Sequence, residues 1–254
     1  MTYQTIKVRF QQDICFLQFN RPEADNTIND RLIEECLHVL SLCEESFTVL
    51  VLEGSPQVFS MGADFREMHR QMSDGQYGKQ GPEALYDLWL KLANGPHVTV
   101  SHVRGKVNAG GVGFVAASDI VVAGQTAQFS LSELLFGLMP ALVLPFLTRR
   151  IGFQKAHYMT LMTRPVPAHQ ALEWGLIDAC EENSQALLRK HLQRLKCLSK
   201  KGIARYKQYM NNLNSTLTQS RPSACAANKE VFSDPQNLAG ISRFVETGKF
   251  PWQD

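Results

Sequence analysis

No two of the six cysteines, Cys15, Cys36, Cys43, Cys180, Cys197 and Cys225, form a C-x-x-C pair, and none has zinc-type spacing. The seven histidines form no H-E-x-x-H, so no metal site is expected. Scattered in mostly apolar contexts, the thiols read as reduced packing residues of a cytoplasmic protein. No apolar run approaches the ~18 residues that span a bilayer. Met1-Thr2-Tyr3-Gln4 leads straight into a strand pattern, so neither a membrane span nor a signal peptide is expected. No G-x-x-x-x-G-K-[ST] occurs, which excludes a phosphate loop. Neither sign of charge dominates: 26 basic against 24 acidic residues leave +2. That balance argues neither for nor against nucleic acid, and no such partner is expected.

What is present begins with 254 residues, 44% of them hydrophobic, ample for a large core. The stretch from Gly105 to Gly137 organises the chain. A β-branched run, Val98 to Val103, reads as a buried strand, followed by Gly105, Gly110, Gly111 and Gly113. That spacing predicts a loop turning into a helix that starts near Gly110. The first turn of a helix offers free N–H groups and the positive end of its dipole, a place for an anion or a carbonyl oxygen becoming one. Gln128-Phe129-Ser130-Leu131 reads as a short strand with Glu133 just beyond it. Three readings compete: close packing of a helix on a strand, a dinucleotide fingerprint, and an oxyanion hole for a thioester. Gly111-x-Gly113-x-x-Ala116 fits G-x-G-x-x-A, but it does not directly follow the strand and leaves room for only about two helical turns.

Along the chain, residues 3–10 and 14–19 alternate as a β-hairpin, and Thr27 to Glu45 has helical spacing. Val49 to Leu52 is a continuous apolar strand of the kind buried on both faces. A second strand follows at Val58, then a helix from about Asp64. Residues 73–82 are polar and glycine-rich, the best candidate for a mobile loop, and Glu83 to Ala93 is helical. The block 49–93 resembles 98–163 in layout, which predicts a coil of β-β-α turns. Leu138 to Met162 reads as helix interrupted by Pro140, Pro145 and Gly152. From Asn183 the pattern is wholly helical. The expected division is a 1–190 α/β core and a 191–254 helical extension. The Lys- and Arg-rich segment Arg189 to Lys207 reads as a solvated face or a dock for an acidic partner.

Four segments in order resemble the crotonase (enoyl-CoA hydratase/isomerase) superfamily. They are Asn20-Arg-Pro-x-x-x-Asn-x-Ile-Asn29, Phe59-Ser-x-Gly-Ala-Asp64, Gly105-x-x-x-x-Gly-Gly-x-Gly113 with Ser118-Asp119-Ile-Val, and Arg164-Pro-x-x-Ala-x-x-Ala-x-x-Trp-Gly-Leu-Ile-Asp178. The resemblance implies an α/β spiral of β-β-α turns with a C-terminal helical trimerisation region, packed as a homotrimer or a dimer of trimers. It also implies an acyl-thioester substrate whose oxygen is held by the backbone N–H groups of Ala63 and Gly110. No separate cofactor is implied, because the phosphopantetheine arm arrives with the acyl carrier protein or acyl-CoA.

The family's hydratases commonly use two glutamates. The second matches Glu133; the first falls on Gly113, which has no side chain. Glu133 is thus the expected single acid/base, its apolar neighbours raising its pKa. Asp25, Met61, Asp64, Tyr86, Asn108 and Gly111 are the expected substrate-contacting positions, packing being the plainer role for Tyr86. Asp64, Tyr86 and Asn108 are weaker alternatives to Glu133 or a water as proton donor. His102, Arg104 and Lys106 are the basic residues near the glycines that could meet a distal carboxylate. Val107 to Phe114, Phe129 to Gly137 and Val245 to Trp252 extend the likeness to the dehydratases of polyketide β-branching cassettes. Those act on a 3-hydroxy-3-methylglutaryl group on acyl carrier protein, followed by a decarboxylase of the same superfamily. An isomerase or decarboxylase of the same fold, and an inactive carrier-binding scaffold, are the alternatives.

Overall fold

The computed structural model describes residues 3–43, 46–75 and 81–253. The hairpin is β1 (Ile6–Gln11) and β2 (Ile14–Phe19), followed by α1 (Asp30–Cys43). Three coiled turns come next. The first is β3 (Val49–Glu53), β4 (Val58–Ser60), α2 (Phe65–Ser73) and α3 (Glu83–Asn94). The second is β5 (Val98–Val103), β6 (Lys106–Asn108) and α4 (Gly110–Ala117). The third is β7 (Ile120–Gly124), β8 (Gln128–Ser130), a 3-10 turn at Glu133–Phe136, α5 (Leu144–Ile151) and α6 (Phe153–Met162). The chain continues through β9 (Val166–Pro167), α7 (Ala168–Glu173) and β10 (Ala179–Glu181). It closes with α8 (Ser184–Leu195), α9 (Lys200–Leu213), α10 (Thr216–Ser233) and α11 (Pro235–Thr247). The block 98–163 therefore holds two turns of the coil where its layout predicts one.

Each turn gives one strand to each of two sheets, ordered β1-β2-β3-β5-β7-β10 and β4-β6-β8-β9. From β2 to β10 the larger sheet is parallel, with Val49 beside Val98 and Val100 beside Ile120. Alternate residues of a strand face opposite sides. Val49 and Val51 accordingly join Leu188 and Leu192 of α8 and Ile203 of α9 in one apolar cluster. Leu50 and Leu52 join the main core with Leu32 and Leu40 of α1. Burial on both faces is why β3 is apolar throughout.

The expected division at 190/191 passes through α8, whose leucines lie on both sides of it and seal the sheet. The helices beyond do not stand apart. Leu217, Ala224 and Cys225 of α10 belong to the main core. Ile241 of α11 packs with Phe136 and Leu138 just after the 3-10 turn. Most basic residues between Arg189 and Lys207 are exposed, as a solvated face requires, but Lys207 is buried. Of the expected mobile loop, residues 76–80 lie outside the described residues. Among the described residues no helix is long and apolar enough to cross a membrane, and no cluster of metal-ligating side chains occurs. Cys36 and Cys225 are buried thiols outside any disulfide, whereas Cys197 is an exposed one.

Candidate active site

The two glycine-bearing segments meet where the second, smaller sheet ends. Gly62 has φ +87°, and a Cβ there would lie 2.6 Å from Cβ of Ala109 and 3.2 Å from the nitrogen of Gly110. Only glycine fits both the conformation and the approach. The contact sets residue 63 against the start of α4. Ile28 clamps the segment, its N–H donating to Gly62 O at 2.7 Å and its carbonyl accepting from Asp64 N at 3.1 Å. Across the junction Ala109 has φ 50° and ψ −125°, a strained conformation for a residue with a Cβ. Its N–H is anchored on Ser130 O at 3.0 Å. The strain turns the chain sharply into α4, whose first N–H is that of Gly110. Neither Ala63 N–H nor Gly110 N–H meets an acceptor among the described residues, and both residues line one cleft. Two free backbone donors on adjoining segments can receive one oxygen as it gains charge.

Glu133 opens the 3-10 turn and lines the same cleft, 8% exposed. Its Oε2 is buried without a hydrogen-bond partner among the described residues. Burial lifts its carboxyl to about 7, with the backbone N–H groups of Glu133 and Ser132 pulling weakly the other way. A carboxyl poised there can accept and return a proton at neutral pH. Asn108 secures the approach to this turn. Its Nδ2 donates to Ser132 Oγ at 2.8 Å, and its Oδ1 accepts from Ser130 Oγ at 2.8 Å.

Asp25, Met61, Asp64 and Asn108 line the cleft with Ala63, Gly110 and Glu133. Asp64 is fully employed, however. It caps α2 through Glu67 N at 2.9 Å and pairs with Arg21 at 2.7 Å. Burial acts to raise its carboxyl, but Glu67 N–H and Arg21 outweigh that and hold it below its ordinary range. It remains a carboxylate, which disfavours it as a proton donor. Two expected substrate contacts fall elsewhere. Tyr86 is fully buried, absent from the cleft wall, and donates to Leu217 O at 2.7 Å, tying α3 to α10. Gly111 is also absent from that wall; a Cβ there would lie 2.5 Å from Ser60 O, so it is a packing glycine. His102 is buried between Glu53 and Ser184, and Arg104 donates to Gly54 O. Neither they nor Lys106 line the cleft; Arg66 and Lys229 are cations that do.

The cleft, about 1380 Å³, exceeds the ~300–1,000 Å³ of a typical ligand pocket and has room for an acyl group with a long arm. Phe232 and Phe244 of the C-terminal helices form part of its wall. Trp89 is among the wall residues that sequence reasoning missed. In an amphipathic helix it reads as core, and the only signal was the hole that Gly113 leaves.

The enoyl-CoA hydratase/isomerase family model matches residues 9–254. The bacillaene synthase dehydratase PksH of Bacillus subtilis is 63% identical over 255 residues, spanning 100% of this chain and 98% of that one. The 2,3-dehydroadipyl-CoA hydratase of Escherichia coli is 31% identical, covering 66% of each chain. The crystal structure of Bacillus subtilis pksH superposes with a TM-score of 0.97 over 98% of this chain and 100% of that one. An enoyl-CoA hydratase structure from Bacillus halodurans reaches 0.84 at 21% identity over 94% and 99% of the two chains, a likeness of fold.

Proposed function

Because the chain belongs to the enoyl-CoA hydratase/isomerase family, as an enzyme of the hydro-lyase kind, we propose that it dehydrates 3-hydroxy-3-methylglutaryl thioester to 3-methylglutaconyl thioester in polyketide biosynthesis. The observation that carries this reading is the buried carboxyl of Glu133, lifted to about 7, on the cleft that holds the free N–H groups of Ala63 and Gly110. The full-length likeness to a polyketide dehydratase supports the choice of substrate.

The thioester oxygen accepts from Ala63 and Gly110 N–H, which acidifies the α-carbon. Glu133 as carboxylate takes the α-proton. The enolate forms the α,β double bond as the tertiary hydroxyl departs. Removing one oxyanion donor typically costs ~3–4 kcal/mol of transition-state stabilisation. The acyl group arrives on the phosphopantetheine arm of an acyl carrier protein, with acyl-CoA as the other source, and the enzyme needs no cofactor of its own. It works as a homotrimer or dimer of trimers in the cytoplasm, and a decarboxylase of the same superfamily consumes the product.

The test loads the substrate on carrier protein and on coenzyme A and follows intact mass. Loss of one water with wild type, abolished in Glu133→Gln, is the expected result. Water loss that persists in Glu133→Gln would place the base elsewhere. A single acid/base glutamate equally suits an enoyl-thioester isomerase, which becomes the reading if neither substrate loses water.

A further inference from the structure

The place where a first-glutamate side chain would stand is filled by another residue with an unused donor. A Cβ on Gly113 would lie 2.3 Å from Cζ2 of Trp89 and 2.7 Å from its Cε2. The indole therefore occupies the volume that a side chain at 113 would need. Cε2 is bonded to Nε1, so the ring N–H lies one bond from that point. Edge contacts with Phe114 and Phe146, at centroid separations of 5.8 and 5.7 Å, fix the ring. Trp89 also lines the cleft that Glu133 lines.

Nε1 of Trp89 is buried with no hydrogen-bond partner among the described residues, and so is Oε2 of Glu133. Buried indole N–H groups ordinarily find a partner, and an unsatisfied one in a native protein requires a reason. Filling the hole beside Gly113 does not supply that reason, since a purely apolar ring would do it without stranding a donor. Two residues of one cleft wall thus carry, just beneath its surface, an unused donor and an unused acceptor. A hydroxyl group complements both, because it accepts one hydrogen bond and donates another.

We propose that Trp89 Nε1–H holds the β-hydroxyl of the substrate and that Glu133 alone carries the proton from the α-carbon to that hydroxyl. The inference rests on the dehydratase reading. Glu133 takes the α-proton, and the C–H electron pair becomes the enolate. The enolate pair then forms the double bond while the Cβ–O bond breaks. Protonated Glu133 returns its proton to the departing oxygen, so one water leaves and the carboxylate is restored. The indole gives up no proton; its N–H stabilises the charge growing on the leaving oxygen.

The experiment replaces Trp89 with phenylalanine and, separately, with 3-benzothienylalanine, which keeps the bicyclic shape and puts sulfur where N–H was. Two reactions are read: water loss from 3-hydroxy-3-methylglutaryl carrier protein, and deuterium exchange at the α-carbon of 3-methylglutaryl carrier protein, which has no hydroxyl. Both variants should lower kcat for water loss about ten- to a hundredfold, with KM and deuterium exchange nearly unchanged. Equal loss in the two reactions would make the indole a matter of site shape and overturn the proposal. So would full dehydration by the benzothienyl variant, whatever phenylalanine does to folding. A wild type that exchanges α-protons but loses no water would overturn the dehydratase reading, and the role of Trp89 with it.

Discussion

At the N-terminal ends of β5 and β7, buried Lys207 donates to Leu92 O at 3.3 Å, His97 O at 2.9 Å and Asp119 Oδ2 at 2.6 Å. In the cleft, buried Glu133 and Trp89 each keep a polar atom with no partner among the described residues. Both regions bury polar groups at a cost in solvation; the Lys207 ammonium repays it within the chain, whereas Glu133 and Trp89 do not. Even His97, whose ring nitrogens also lack partners, has its charge removed: burial and then Lys207 and Lys200 lower it to about 3. The difference separates groups that hold the fold from groups held ready for something outside it. A satisfied cluster should carry stability and no turnover, and an unsatisfied one turnover at the expense of stability.

The largest effect that would break this comparison is at Glu133. Glu133→Gln should lower the rate of water loss about 10²–10⁴-fold, as loss of a general acid/base does, while thermal unfolding shows Tm unchanged or raised. A variant that is both inactive and clearly less stable would mean that the carboxylate also serves the fold.

The pH dependence of stability follows next. Glu133 titrates near 7 in the folded chain against 4.5 in the unfolded one, so between those values the folded state holds the extra proton. Its contribution is fully present below 4.5 and is lost as pH rises through 7, by ~3 kcal/mol in all. Denaturant unfolding of wild type and Glu133→Gln across that window should differ by this slope. The same ionisation should give kcat/KM a limb that rises towards pH 7. Parallel stability curves would sink the assignment of that titration to Glu133.

A smaller effect is expected at the satisfied cluster. Lys207→Met leaves Asp119, a carboxylate whose side chain is 29% exposed, without its cation. Chemical denaturation should show a loss of about 2–3 kcal/mol, less than the ~3–5 kcal/mol of a fully buried broken pair because water reaches Asp119, with kcat per folded molecule unchanged. A fall in kcat would show that this cluster reaches the cleft. The smallest effect is at Tyr86, outside the cleft. Tyr86→Phe removes the O–H that donates to Leu217 O and should cost about 0.5–1.5 kcal/mol without altering kcat or KM.

The pieces legible in the sequence were those written in local pattern. The apolar run of β3, the start of α4 at Gly110 and the place of Glu133 after β8 follow from periodicity and glycine spacing, and the structure has them within a residue or two. Other features depended on contacts between distant segments. Tyr86 and Trp89 both lie on the buried side of α3, and nothing in its spacing says which faces the cleft. His102 and Arg104 lie close to the glycines in sequence but point their hydrogen bonds at Glu53, Ser184 and Gly54. The C-terminal helices read as an appendage because helical periodicity does not show what covers an apolar face.

The sequence by itself determined the strands of the coil and a helix start with a free N–H at Gly110, while its resemblance to the crotonases marked Ala63 as a second donor and Glu133 as one carboxyl where two are common. Those properties live in backbone conformation and side-chain identity, which neighbours along the chain largely dictate. Only the tertiary structure decided that Trp89 fills the place beside Gly113, that Glu133 is buried enough to titrate near 7, and that Asp64 is already bound to Arg21. Occupied volume, desolvation and pairing all depend on which segments pack together. Those packing contacts bring α3, α4 and the 3-10 turn around one cleft.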